Sequence, residues 1–279
     1  MLNQLKTLVL LALLTGLLLW TGSFFGSNGL IIAAAFALLI NFGSYYFSDK
    51  IVLFMYKAKP ADKKTHAKLF SMVEDISKNA DIPMPKLYIV PTQTPNAFAT
   101  GRNPKHSAVA CTEGILDLLT DKELKGVLAH EISHIKNRDT LIQTIAATIA
   151  GVISYLATML RFGAMFGGND REGNNNIIGL LVIAILAPIL ALLIQLAISR
   201  SREYLADATG AKLAKDHNGL ASALEKLERG VKYNPLAFGN EATSSLFIVN
   251  PFKTSMLLSL FSTHPPVSER VKRLKELKL

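Results

Sequence analysis

Hydrophobic and polar positions divide this chain into two kinds of segment. From Thr7 to Ser48 no side chain is charged, and the Gly/Ser-rich stretch "TGSFFGSNG" (21–29) splits the run into two apolar segments. Each is about long enough to cross a hydrocarbon layer of roughly 30 Å as a helix, so residues 1–48 predict a transmembrane hairpin. The competing reading is a cleaved leader over 1–22; against it stand the second span that follows at once and the lack of a clear small-x-small cleavage site. Two more uncharged runs, Thr140 to Leu160 and Gly173 to Ser199, are joined by "RFGAMFGGNDREGNNN" and predict a second hairpin over 140–199, for four candidate spans. Pro188 kinks the fourth without excluding it. Gln143, Thr144, Thr148 and Gln195 leave open a buried hairpin in a soluble core.

Outside these runs the pattern acquires the periods of a packed domain. "KKTHAKLFSMVEDISKNADI" (63–82) spaces Leu69, Met72, Val73 and Ile76 as on one helix face, and "PKLYIVP" and "SAVAC" alternate like strands. Between them "TQTPNAFATGRNPKH" (92–106) is rich in turn residues and reads as a hairpin-like excursion. Arg200 to Lys215 and Gly219 to Gly230 read as helices, and "HPPVSERVKRLKEL" as a helix introduced by prolines. The expected organisation is an N-terminal hairpin (1–48), a first soluble part (49–139), a second hairpin (140–199) and a second soluble part (200–279).

Composition agrees with a membrane protein. Half of the 279 residues are apolar, 18% are charged and the mean hydropathy is +0.30. The net charge of +9 is what cytoplasm-facing loops of a membrane protein show, so no nucleic-acid partner is expected and the lipid bilayer is. Lys50, Lys57, Lys59, Lys63 and Lys64 follow the second span, Lys136 and Arg138 precede the third, and Arg200 and Arg202 follow the fourth. The positive-inside rule then puts both soluble parts on the cytoplasmic side. A single cysteine, Cys111, excludes an intramolecular disulfide and suits core packing.

Metal chemistry is signalled by "TDKELKGVLAHEISH". Thr120 and Glu123 form a capping box that starts a helix, and the apolar face of Leu124, Val127, Leu128, Ile132 and Ile135 places His130 and His134 one turn apart on a single side. Two such imidazoles can share one zinc, and Glu131 beside them can take a proton from water. The bland alternative is two polar residues on a helix near lipid headgroups. In "SRSREYLADATGAKLA", Glu203 and Asp207 stand at i and i+4; Glu203 could be a third ligand and Asp207 could orient a ligand imidazole. Alternatively they pair with Arg200, Arg202 or Lys212 on a solvated face. An antiparallel hairpin over 140–199 returns both motifs to one membrane surface, which favours the metal.

"HEISH", "EYLAD" after two apolar segments, "PNAFATG" upstream and "THPPVSER" near the C-terminus together resemble, in order, the motifs of the M48 membrane zinc metalloproteases, and within that family the heat-shock protease type. The resemblance covers nearly the whole chain. It implies an α+β, zincin-like (gluzincin) domain with four transmembrane helices and one zinc per chain held by His130, His134 and Glu203. Glu131 would be the catalytic base of an endopeptidase that removes damaged membrane proteins in quality control and stress response, in a bacterial cytoplasmic membrane. By the same resemblance Asn96 and His264 contact substrate or the developing oxyanion; a turn asparagine and a histidine leading into a helix are the alternatives. The strand Ser107 to Cys111 is a candidate for pairing with extended substrate. His66, His106 and His217 match no motif and default to the surface, Arg270 pairs with Glu269 or reaches an acidic partner, and a homo-oligomer is left open. The rival from another class is a membrane scaffold with a structural zinc, or a transporter; the latter is opposed by spans that hold no ionisable group.

Overall fold

The computed structural model describes residues 2–23, 26–145, 149, 200–233, 248 and 265–277; His264 and nearly all of the predicted second hairpin lie outside them. Helices α1 (Leu2–Ser23) and α2 (Gly26–Met55) pack antiparallel, tied by a hydrogen bond from Asn41 Nδ2 to Thr15 Oγ1 of 2.7 Å. Among the described residues one helix, Gly26–Met55, is long and apolar enough to cross a membrane. It does not stop at the predicted boundary near residue 48. It continues into the first soluble part, where Val52 and Leu53, with Tyr56 just beyond, bury against Val90, Phe98, Ala108 and Ala110.

Those last four residues belong to one face of a four-stranded sheet. Strands β1 (Lys59–Pro60), β2 (Lys86–Val90), β3 (Ala97–Asn103) and β4 (His106–Thr112) run in the order β1-β2-β4-β3, with β2 and β4 parallel and the other pairs antiparallel. The period of two sends Val109 and Cys111 of β4 to the opposite face, into the main core with α3 (Ala67–Ala80) and α5 (Asp121–Lys136). Cys111 is fully buried there, as its apolar context predicts. The short helix α4 (Glu113–Leu118) leads from β4 toward α5.

One expectation is overturned. β4 is paired on both sides and has no open edge for a substrate strand; among the described residues the sheet ends in β1 and β3, and the edge beside β4 is β3, within the stretch read as a turn-rich excursion. Its Ala, Gly and Asn residues have little strand propensity of their own, and it is held by pairing with β4 and by burial of Phe98.

The second soluble part supplies helices α6 (Arg200–Ala214), α7 (Asn218–Tyr233) and α8 (Val267–Glu276). α6 and α7 pack directly on α5. Their close approach depends on two glycines: a Cβ on Gly210 would sit 2.9 Å from His130 N, and one on Gly126 would sit 2.6 Å from Leu220 N. The architecture is thus a mixed helix and sheet domain in which α5 is buried continuously from Gly126 to Ile135.

Candidate active site

Thr120 caps α5 as its sequence predicts, donating its N–H to Glu123 Oε2 at 2.9 Å. The same carboxylate accepts from Ser222 Oγ (2.6 Å) and Lys226 Nζ (2.8 Å), so α7 is pinned to the start of α5. Burial alone would raise the Glu123 carboxyl, but these bonds, Lys226 first, bring it down to about 2. The other end of α5 is closed by Arg138 in the left-handed region (φ 58°), with Asp139 N–H donating to His134 O at 2.9 Å. This turn, which costs a non-glycine residue about 1 kcal/mol, brings Asp139 Oδ2 within 3.3 Å of His134 Nδ1.

Between those ends the predicted ligands converge. His130 and His134 present Nε2 atoms 3.2 Å apart. Glu203 of α6 approaches both, Oε2 at 3.7 Å from His130 Nε2 and Oε1 at 3.6 Å from His134 Nε2, and all three side chains are buried. Three ligands at about 2.0–2.1 Å around a tetrahedral ion lie roughly 3.3 Å from one another. The spacing therefore fits a small divalent metal with a coordination position left over. The solvated-face alternative for Glu203 and Asp207 fails, since both are nearly inaccessible.

Each ligand histidine turns its other nitrogen to a carboxylate. Asp207 Oδ1 lies 2.9 Å from His130 Nδ1, and Asp139 Oδ2 lies 3.3 Å from His134 Nδ1. Each imidazole thus has a carboxylate near its Nδ1, hydrogen-bonded in the case of His134, and carries its Nε2 on the side of the other histidine and Glu203. Burial opposes protonation of His134, yet the Asp139 bond and the charges of Glu203, Glu131 and Asp139 prevail and push its pKa up to about 9. The pocket favours positive charge at this spot, which a divalent cation supplies.

Glu131 lies on the same helix but faces the edge strand, where its Oε2 accepts the Ala99 N–H at 2.7 Å. Burial pushes its carboxyl above the usual range, against the lowering influence of His130 and His134. Asn96 precedes β3 and is buried. Its Oδ1 accepts the Ile248 N–H at 3.2 Å and its own N–H donates to Thr112 Oγ1 at 2.9 Å. His106 is exposed and His66 and His217 half-buried, none of them in the trio.

Two residues carry more than sequence reasoning assigned them. Arg270 of α8 is wholly inaccessible and grips Asp207 with a fork, Nε to Oδ2 at 2.8 Å and Nη2 to Oδ1 at 2.6 Å; its Nη1 donates to Ile248 O at 3.1 Å and lies 3.8 Å from Glu203 Oε2. Burial alone would raise the Asp207 carboxyl, but this guanidinium holds it well below the carboxylate range. The pairing was open in sequence because Glu269 is adjacent and Asp207 is 63 residues away. Asp139 was missed altogether; its only signal is a position just past an "NR" helix end.

The similarities of the chain agree with this geometry. Residues 63–278 match peptidase family M48. A "Protease HtpX homolog" of Syntrophobacter fumaroxidans is 50% identical over 99% of both chains, and one of Pyrococcus furiosus is 54% identical over 98% of this chain and 95% of the relative. The crystal structure of S. mikatae Ste24p superposes with a TM-score of 0.52 at 19% identity, a likeness of fold; the match covers 98% of this chain and 65% of that one, just under two thirds of its length.

Proposed function

This chain belongs to peptidase family M48 and is a metalloendopeptidase, and we propose that it is a zinc enzyme of the cytoplasmic membrane that cuts misfolded or damaged membrane proteins on their cytosolic side. The observation that carries the reading is the buried trio His130, His134 and Glu203 with Glu131 beside it. Histidine nitrogen and carboxylate oxygen in this number suit zinc.

When bound, zinc supplies the Lewis acidity that polarises a scissile carbonyl and makes water acidic. Asp207 and Asp139 stand on the Nδ1 sides of the two imidazoles and leave their Nε2 atoms turned toward Glu203. Glu131 takes the proton of the attacking water and passes it to the leaving amine, a task suited to a carboxylate raised by burial. Its bond to Ala99 ties that proton carrier to the edge strand, along which an extended substrate can pair. Asn96 and His264 are assigned, on the family resemblance, to holding substrate or the developing oxyanion. A metal kept only for structure is normally enclosed by four protein ligands; three such ligands among the described residues, with Glu131 retained, favour catalysis over the scaffold.

The membrane setting rests on helix Gly26–Met55 and on the basic residues flanking the predicted spans, with 140–199 as a second hairpin. A substrate sharing the bilayer meets the site at raised effective concentration. The test presents one cleavable segment to metal-replete enzyme in proteoliposomes, either on a membrane-anchored carrier or on a soluble one. Faster cleavage of the anchored form, by about tenfold or more, is expected. Equal rates at matched accessibility would remove the membrane-substrate reading, and no cleavage of either carrier or of casein would remove the peptidase reading for this site.

A further inference from the structure

The β3–β4 hairpin has a feature that the peptidase chemistry does not use. From Gly26 to Tyr46 helix α2 rises about 30 Å, the thickness of a hydrocarbon layer. Four exposed aromatics cluster at the end of that rise: Phe42 and Tyr46 (ring centroids 4.5 Å apart), Tyr45 (5.0 Å from Tyr46) and Phe47, with Lys50 Nζ 5.3 Å above the Phe47 ring. A belt of amphipathic rings capped by lysine marks the headgroup level of a membrane helix.

Arg102 of β3 stands with its guanidinium 5.3 Å from the Tyr46 ring centroid, at the level of that belt and one turn nearer the bilayer than Lys50. Its aim has a local cause. The β3–β4 register shifts between Gly101 and Asn103, and Gly101 has φ +128°, a bulge that only glycine fills easily because a Cβ there would meet His106 O at 2.2 Å. The tip beyond is braced, with Asn103 Oδ1 accepting the His106 N–H at 3.0 Å. Lys105 and His106 are exposed on it, and residues 97–112 include no acidic side chain. Three residues of strand, about 10 Å, separate Arg102 from Ala99, whose N–H holds Glu131.

We propose that the hairpin tip, through Arg102 and Lys105, binds the anionic headgroups of the membrane in which α2 sits, and so lays the edge strand beside Glu131 along the lipid surface. The occupant is an anionic phospholipid, because the tip offers two cations and no anion at headgroup depth; each basic residue near such a surface strengthens attraction about fivefold. The proposal rests on the reading of α2 as a membrane span.

His106→Cys, labelled with an environment-sensitive fluorophore in full-length enzyme, tests it, since it keeps the backbone N–H that Asn103 accepts; the native Cys111 is inaccessible to the label. In vesicles with about one third phosphatidylglycerol the probe should shift to the blue and be quenched by headgroup nitroxides, whereas in phosphatidylcholine alone the shift should fall severalfold. R102Q/K105Q should abolish the dependence on anionic lipid and R102K should keep it. A label at Phe36→Cys, quenched by mid-chain nitroxides, reports α2 independently. A deep Phe36 label with a His106 label indifferent to lipid charge would overturn the hairpin proposal and leave the span standing; a Phe36 label that no nitroxide quenches would overturn both. An equal blue shift with inorganic phosphate in detergent would replace the lipid by a free anion and overturn the proposal as stated.

Discussion

Arg270 illustrates how a residue remote in sequence from His130 and Glu203 can reach the candidate metal site. A fully buried guanidinium forked onto Asp207 balances a carboxylate that in turn orients His130, and removing one partner leaves an uncompensated buried charge. Arg270→Gln is expected to weaken metal binding by about 10- to 100-fold, read by competition with a chromophoric chelator. Adding it to Asp207→Asn should cost little more than Asp207→Asn alone, because the two act through one contact; additive losses would contradict the linkage. At this scale the sequence was legible where chemistry is local. His130, Glu131 and His134 announce themselves by spacing, and Glu203 by its place after the predicted spans. Arg270 and Asp139 were not, since one depends on packing across 63 residues and the other on a left-handed turn at Arg138 that no propensity favours.

Among the elements, α5 is the clearest in sequence because capping, apolar spacing and polar ligands coincide within a few turns. Glu123 serves both its cap and its contact with α7. Its carboxyl lies near 2 when folded and near 4.5 otherwise, so the stability it contributes is present above about pH 4.5 and is lost as pH falls toward 2. Glu123→Gln should therefore lower the melting temperature at pH 7 and lower it much less at pH 3, as measured by thermal unfolding in detergent; an equal deficit at both values would contradict the ionised cap. The helices α3, α6, α7 and α8 were each anticipated to within a few residues at either end. Strand β3 was not, because its small residues owe their conformation to β4 and α2 rather than to themselves, and with it the identity of the open edge was misread.

For the whole molecule, α5 joins the parts. The sheet and Glu131's partner Ala99 come from the first soluble part, Glu203 and the clamp of Arg270 and Asp207 from the second, and α2 runs from its apolar segment straight into the sheet. The pairing of the two soluble parts was foreseeable from the order of apolar runs and basic flanks; the continuity of α2 was not, because Asp49 and Lys50 look like the end of a span. The central claim is that His130, His134 and Glu203 hold a catalytic zinc for which Glu131 moves the proton. It is tested most directly by measuring zinc content and casein cleavage together in the wild type and in Glu131→Gln, both purified full-length and metal-replete. One zinc per chain is expected in each, with a cleavage rate lower by at least about a hundredfold in the variant. Near-wild-type cleavage by Glu131→Gln with its zinc in place would contradict it.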